Sequence, residues 1–268
     1  MSAPTPADVW NLGDYQKIAF ENVLVGERLS DQLSIPAGAR VLDVACGTGN
    51  TTLAAARRRA DVVGIDIASS LIERATSRAQ AEGLSSVRFQ VGDGTALPFA
   101  DDSFDFVLST FGAVFFASQE ATARELARVV RPGGTIALTA WSRQALPSDV
   151  YRLVHSFLPV PEGGPAPAYT WTDGPRAGAL LNPYCDSVVV TRGTVDACFL
   201  NPQDCFENHA NFYGPIMMGL GQFTPTQRVE FQNGFIDILV AHNRATDGTL
   251  IANYDYATII ATKRGRPA

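Results

Sequence analysis

The stretch RVLDVACGTGN, residues 40–50, decides the fold. Val41, Leu42, Val44 and Ala45 form a short apolar run, and Gly47-Thr48-Gly49-Asn50 breaks it at once. Such a run, spanning residues 40–45, predicts a strand buried on both faces. A glycine turn at its end lets the chain reverse sharply and lets a ligand approach the backbone. The turn is not a phosphate-binding loop, because no Gly-Lys-Ser/Thr follows it. A GxGxxG dinucleotide fingerprint is also missing, since Gly49 is followed by Asn50, Thr51 and Thr52. Asp43, near the strand end, is what sharpens the signal.

The same rhythm continues on both sides. Residues 7–33 carry Ile18, Leu24, Val25 and Leu29 at helical spacing, and Ile35-Pro36-Ala37-Gly38 closes that segment. After the glycine turn, residues 51–59 predict a helix, 62–65 a strand ending at Asp66, 69–82 a helix stopped by Gly83, and 87–91 a strand. Residues 104–109 predict a fourth strand, 119–130 a helix ended by Pro132-Gly133-Gly134, and 135–140 a fifth strand. Strands alternating with helices indicate a parallel sheet with both faces covered. Beyond Trp141 the pattern changes. Residues 158–175 hold many Pro and Gly and predict a loop or cap, 187–191 and 194–200 a strand pair, 202–213 and 225–241 helices, and 254–263 a closing strand.

Asp66 ends the second strand and Asp93 the third. Carboxylates at the carboxyl ends of three adjacent strands converge on the crevice where open α/β sheets bind ligands. At such a place Asp66 can accept from both hydroxyls of a ribose, or it can simply cap the next helix. Its position at the rim of the sheet predicts that its loss would spare folding. Asp93 can take the exocyclic amine of an adenine.

The chain has 268 residues, 46% of them apolar, enough for a sizeable core in one domain. The net charge of −6 argues against sequence-independent binding to nucleic acid. Arg57, Arg58 and Arg59 are adjacent and cannot share one helical face, which predicts a solvated surface. No segment reaches the roughly 18 consecutive apolar residues of a membrane helix, and MSAPTPADVW lacks the features of a secretory signal. The expected compartment is the cytoplasm. Cys46, Cys185, Cys198 and Cys205 include no CxxC pair, and His155, His209 and His242 show no ligand spacing, so no metal site is expected.

Residues 40–140 resemble the class I S-adenosylmethionine-dependent methyltransferases, in the small-molecule branch that contains the quinone-biosynthesis C-methyltransferases. VLDVACGTGN is similar to that family's first motif, VVGIDIA to its second, VGDGTALPFADDSFDFVLS to its third and fourth, and LARVVRPGGTIAL to its last. Trp10, Asp14, Tyr15 and Asn211-Phe212-Tyr213-Gly214-Pro215 resemble a subgroup of uncharacterised members. The resemblance implies a Rossmann-like, doubly wound α/β fold. Its mostly parallel sheet would be seven-stranded with the last strand antiparallel, with N-terminal helices and a C-terminal cap. It divides a single domain into a helical lid at 1–38, a cofactor-binding core at 39–141 and a substrate-side half at 142–268.

It also implies roles. Asp43 would organise the glycine turn near the methionine amino group, and Gly47 and Gly49 would pass under the cofactor. Asp66 would bind the ribose, Ile67 would pack on the adenine, Asp93 would reach the adenine amine with Gly94 beside it, and Ser109 would hold the methionine portion. Tyr15 is assigned to the cofactor as well. One glycine of the first motif is Ala45 here. The expected cofactor is S-adenosylmethionine, leaving as S-adenosylhomocysteine. The expected reaction is O- or C-methylation of a small, planar or lipophilic acceptor, with no nucleic acid or membrane partner and a homodimer as an option. A cyclisation on the same fold, or a non-catalytic cofactor-binding protein, are the alternatives. His155 and His209 are candidate bases, ahead of His242, and Tyr213 joins them as a candidate at the acceptor. The acceptor is expected between the loop after the fourth strand, residues 158–175, and the segment 209–218.

Overall fold

In the computed structural model, which describes residues 4–158, 167 and 169–265, the apolar runs become strands of one sheet. These are β1 (Arg40–Val44), β2 (Asp61–Asp66), β3 (Val87–Val91), β4 (Phe104–Thr110), β5 (Val130–Trp141), β6 (Cys185–Phe199) and β7 (Leu250–Lys263). Their order is β3-β2-β1-β4-β5-β7-β6. Neighbours from β3 to β5 run parallel, while β7 is antiparallel to both β5 and β6. The sheet is thus the seven-stranded, doubly wound arrangement that the resemblance implies.

The unbroken apolar character of these strands has a simple cause. Successive side chains point to opposite faces, and both faces are covered. Leu42, Val63, Val107, Ile136 and Leu138 pack into the larger core. Their neighbours Val41, Val62, Leu108 and Ala137 pack on the other face with Leu29, Ile35 and Ala55.

The helices are α1 (Pro6–Trp10), α2 (Gln16–Ala19), α3 (Val23–Gln32), α4 (Asn50–Arg57), α5 (Ser69–Ala81), α6 (Gln119–Val129), α7 (Leu146–Phe157), α8 (Gly174–Leu181), α9 (Pro202–Phe212), α10 (Gly214–Gln222) and α11 (Pro225–His242). The expected N-terminal helix is therefore broken into pieces. At the first, Thr5 and Asp8 close a capping box around α1. The arginine cluster lies on the surface as expected. Arg57 pairs with Glu82 at 2.6 Å and with Glu27, and Arg58 with Asp31 at 3.3 Å.

Several expectations are corrected. Residues 187–200 are not a strand pair, because β6 runs unbroken and pairs with β7 from Cys185 to Phe199. Gly193, between the two expected strands, sits beneath the Tyr256 ring, where a Cβ would lie 2.6 Å from it. The glycine accommodates an aromatic ring and does not bend the chain. Likewise Pro132-Gly133-Gly134 lies inside β5 and does not separate it from α6. Helices α7, α8 and α10 had no counterpart in the sequence reading. Part of the loop expected at 158–175, residues 159–166 and 168, lies outside the described residues. No helix among the described residues is long and apolar enough to cross a membrane.

Candidate active site

The strand order reverses between β1 and β4, and above that switch point the carboxyl ends of the strands open into a cavity of about 1090 Å³. The glycine turn after β1 forms its floor. Ala45 (φ +54°), Gly47 (φ +55°) and Gly49 (φ +87°) all take the left-handed conformation, and Gly49 leads into α4 as its N-cap. Ala45 lines the cavity in a conformation that favours glycine.

Asp43 is buried, and Thr52 Oγ1 donates to its Oδ2 at 2.6 Å. Its Oδ1 is shut off from solvent with no hydrogen-bond partner. Burial pushes its carboxyl up to about 7, against the opposing pull of the Thr52 bond. Asp66 is buried as well, with Oδ2 accepting from Gly47 N–H at 2.8 Å and Oδ1 from Ala68 N–H at 3.0 Å. Its carboxyl is also raised by burial, with the Ala68 and Gly47 N–H groups pulling it down. The expectation that Asp66 is dispensable for folding is therefore revised, because it ties the glycine turn to the start of α5. Asp93 is exposed at the mouth, and its Oδ1 accepts from Thr95 N–H and Oγ1, both at 2.8 Å. Beside it, Gly94 lies so close under Phe116 that a Cβ would come within 2.5 Å of the ring.

Asp43, Ala45, Gly47, Asp66, Ile67, Asp93, Gly94 and Tyr15 all face this cavity. Ser109 and Gly49 do not. The Ser109 hydroxyl is buried and fully used, donating to Val44 O at 2.7 Å and accepting from Ala113 N–H at 2.9 Å. It braces the loop after β4 against β1. Gly49 faces Ala75 and Phe89.

Of the four candidate side chains His155, His209, His242 and Tyr213, His155 alone lies on the cavity wall, where Tyr169 and the loop after β4 also stand. His209 is buried among Phe199, Tyr213 and Phe235, with Nδ1 at 2.9 Å from Cys205 O. Burial drives its pKa down to about 4, so it stays neutral. Tyr213 stands behind the wall, its hydroxyl paired with that of Tyr151, and of the segment 209–218 only Pro215 lines the cavity. His242 is occupied by Asp149, with Nε2 at 2.7 Å from Oδ2.

The sequence reading missed the far half of the wall. It is built by Trp10, Asn22, Tyr151 and Arg152, together with Phe115 after β4. The Thr5/Asp8 capping box was a legible signal for Trp10, whereas Tyr151 carried none. The rings join into one array, with Trp10 at 5.6 Å from Tyr15, 5.8 Å from Phe115 and 5.9 Å from Tyr213, and Phe115 at 5.3 Å from Tyr151.

The cofactor end of the cavity is a crevice of acceptors. Asp43, Asp66 and Asp93 face it, and both Asp43 Oδ1 and Asn22 Oδ1 are buried without a donor. A ligand with an ammonium group, ribose hydroxyls and an amino purine satisfies that set. A pyrophosphate would be repelled by it.

Comparison with known proteins agrees. The model of a methyltransferase domain matches residues 41–134. The chain belongs to the class I S-adenosylmethionine-dependent methyltransferases. An uncharacterised protein of Mycobacterium tuberculosis is 30% identical over 266 residues, 98% of this chain and 95% of that one. The methyltransferase GfsG of Streptomyces halstedii is 39% identical over 119 residues, 42% of this chain and 43% of its own. Among solved structures, the YcgJ protein of Bacillus subtilis shares the fold at a TM-score of 0.61 and 22% identity, covering 90% of this chain and 99% of that one. The methyltransferase described here thus uses S-adenosylmethionine as its cofactor, and the donor-hungry crevice fits it.

Proposed function

We propose that this methyltransferase acts on a small, planar or lipophilic acceptor, at oxygen or carbon, held in the aromatic half of the cavity. The continuous array of Trp10, Tyr15, Phe115, Tyr151 and Tyr213 beside the acidic crevice carries this reading. Flat apolar ligands pack well against such rings. The cavity of about 1090 Å³ exceeds the usual range of about 300–1,000 Å³ for one ligand, which leaves room for cofactor and acceptor together.

Bound in the crevice, S-adenosylmethionine supplies a methyl group already activated by its sulfonium. In this assignment Asp43 and Asn22 accept from the ammonium, Asp66 takes the ribose hydroxyls and Asp93 the adenine amine. Ile67 flanks the adenine, and Gly47 and Gly94 let the cofactor lie against bare backbone. Ser109 positions the loop after β4 and does not touch the cofactor. The protein's main contributions are orientation and exclusion of water. The N-terminal segment supplies part of the cover, since Pro6, Val9 and Trp10 face the cavity. The acidic crevice and net charge of −6 favour a small acceptor over nucleic acid.

The test is incubation with methyl-labelled cofactor and a panel of phenols, naphthols and hydroxyquinones, with products separated by chromatography. Label in an extractable aromatic product is expected. Transfer only to protein or nucleic acid, or only to non-aromatic acceptors, would refute the reading.

A further inference from the structure

The charges on the cavity wall are sorted by end. Asp43, Asp66 and Asp93 sit at the strand ends, whereas the basic side chains among the described wall residues, Arg152 and His155, both stand on α7. Ser148, Tyr151, Arg152 and His155 follow helical spacing, so one face of α7 looks into the cavity, while Leu146 and Val150 on the opposite face anchor the helix in the core. Arg152 and His155 are exposed at the mouth. The Arg152 guanidinium is steadied by two acceptors, with Nη2 donating to Asp149 Oδ1 and Nη1 to Arg143 O at 2.9 Å. Asp149 is shared, because its Oδ2 lies 2.7 Å from His242 Nε2. Arg143 itself lies over the ring of the wall residue Tyr169 at 4.5 Å and has no ion pair among the described residues. Two guanidiniums thus meet one carboxylate at this end of the cavity.

We propose that the methyl acceptor carries a carboxylate, which Arg152 and His155 bind at the mouth of the cavity while Arg143 adds positive charge behind them. The inference deepens the acceptor reading above and rests on it. A guanidinium has five N–H donors in a planar fork that matches a carboxylate. Asp149 and the Arg143 carbonyl engage two of them and keep the side chain from swinging away, and the others remain for a ligand. His155, one turn further on, makes no hydrogen bond among the described residues and can donate an N–H to the same group.

The order of side chains along α7 sets the order of groups in the ligand. Tyr151 joins the aromatic array through Phe115 at 5.3 Å, and Arg152 follows it in the chain. A planar ring held among these aromatics turns its carboxylate to the mouth and its other end to the cofactor. The opposite orientation offers the carboxylate no positive side chain, since the wall there presents Asp43, Asp66 and Asp93. Charge therefore selects which end of the acceptor meets the methyl group.

A hydroxynaphthoic acid with its two groups on opposite rings tests this, beside its methyl ester and the parent naphthol. The wild type should prefer the acid to the ester by about 10–100-fold in kcat/KM, the range for hydrogen bonds to a charged group. R152M keeps the apolar stem and removes the charge. It should lose most of the preference, with KM for the acid rising more than kcat falls. R152K should restore the preference in part, and H155A should lose a smaller share of it. Calorimetric titration of the acid into the S-adenosylhomocysteine complex should show the same loss of affinity in R152M, and the wild-type affinity should weaken as salt rises. Affinity for S-adenosylhomocysteine itself should stay within about twofold in R152M, because the crevice lies at the other end. Equal use of acid and ester by the wild type, or a preference that survives R152M, overturns the carboxylate subsite alone. Failure of the acid, the ester and the naphthol alike to be methylated overturns the acceptor reading and the subsite with it.

Discussion

Ala45 and Gly112 are a matched pair across the floor of the cavity. A Cβ on Gly112 would sit 2.4 Å from the Ala45 Cβ and 2.8 Å from the Ala45 carbonyl oxygen. Where the family's first motif has glycine, this chain has alanine at φ +54°, and the loop after β4 passes over it with a glycine. G112A should therefore cost about 1–3 kcal/mol through overpacking. A45G alone should be neutral or stabilising by about 1 kcal/mol, as relief of the left-handed strain outweighs the added chain entropy. In the double variant A45G should recover only part of the loss, because the backbone contact remains. A double-mutant cycle by urea unfolding measures the coupling, and strict additivity would show that the two residues do not touch.

Asp66 ties the glycine turn to the start of α5, and in the proposed assignment it also holds the cofactor ribose. D66A should weaken S-adenosylhomocysteine binding by about 1.5–3 kcal/mol. It should also lower stability by about 1–3 kcal/mol, because the Gly47 and Ala68 N–H groups lose their acceptor. Calorimetry and denaturant unfolding of the same preparation separate the effects. Loss of stability with normal binding would leave Asp66 a purely structural brace.

Asp43 makes the unliganded protein sensitive to pH. Its folded carboxyl holds a proton up to about 7, above its ordinary value of 3.8. The stability it contributes is present in full below its ordinary value and is lost as pH rises through about 7. Glu21, held up to about 8, acts in the same direction. Asp105, held low by Arg40 and Arg131, loses its contribution only at more acid pH, outside this window. The urea midpoint of the free protein should thus fall between about pH 4 and 8, and less steeply in D43N. If the cofactor ammonium meets the Asp43 carboxylate, binding near pH 6 should release a proton. Calorimetry in buffers of different ionisation enthalpy detects it, and proton uptake would contradict the assignment.

Helix α1 is held against α10 by a backbone contact too close for any side chain. A Cβ on Gly214 would come within 2.0 Å of Val9 O, and Asn208 Nδ2 donates to Lys17 O at 3.3 Å nearby. G214A should push α1 off the first turn of α10. Hydrogen exchange of residues 4–15 should speed up, and KM for acceptor should rise more than stability falls. Unchanged exchange there would mean that α1 is not a cover of the site.

How much of this was legible depends on the range of the interactions involved. The strand runs, the glycine turn and the strand-end positions of Asp43, Asp66 and Asp93 follow from local pattern, because a buried parallel strand must be apolar throughout and a crevice ligand is met at strand ends. The acidic crevice at the strand ends was therefore readable from the sequence. What tertiary structure alone decided lies on long contacts. The expected strand pair at 187–200 is one strand, in which Gly193 makes room for Tyr256. Ser109 looks like a ligand contact until Val44 and Ala113 consume its hydroxyl. His209 looks like a base until Phe199 and Phe235 enclose it. The aromatic wall joins Trp10 and Tyr15 from the N-terminus, Phe115 after β4 and Tyr151 on α7. No local periodicity records which distant side chain will desolvate a given group, and it is that desolvation, set by packing, that fixes whether a carboxyl, phenol or imidazole here is charged, neutral or merely structural.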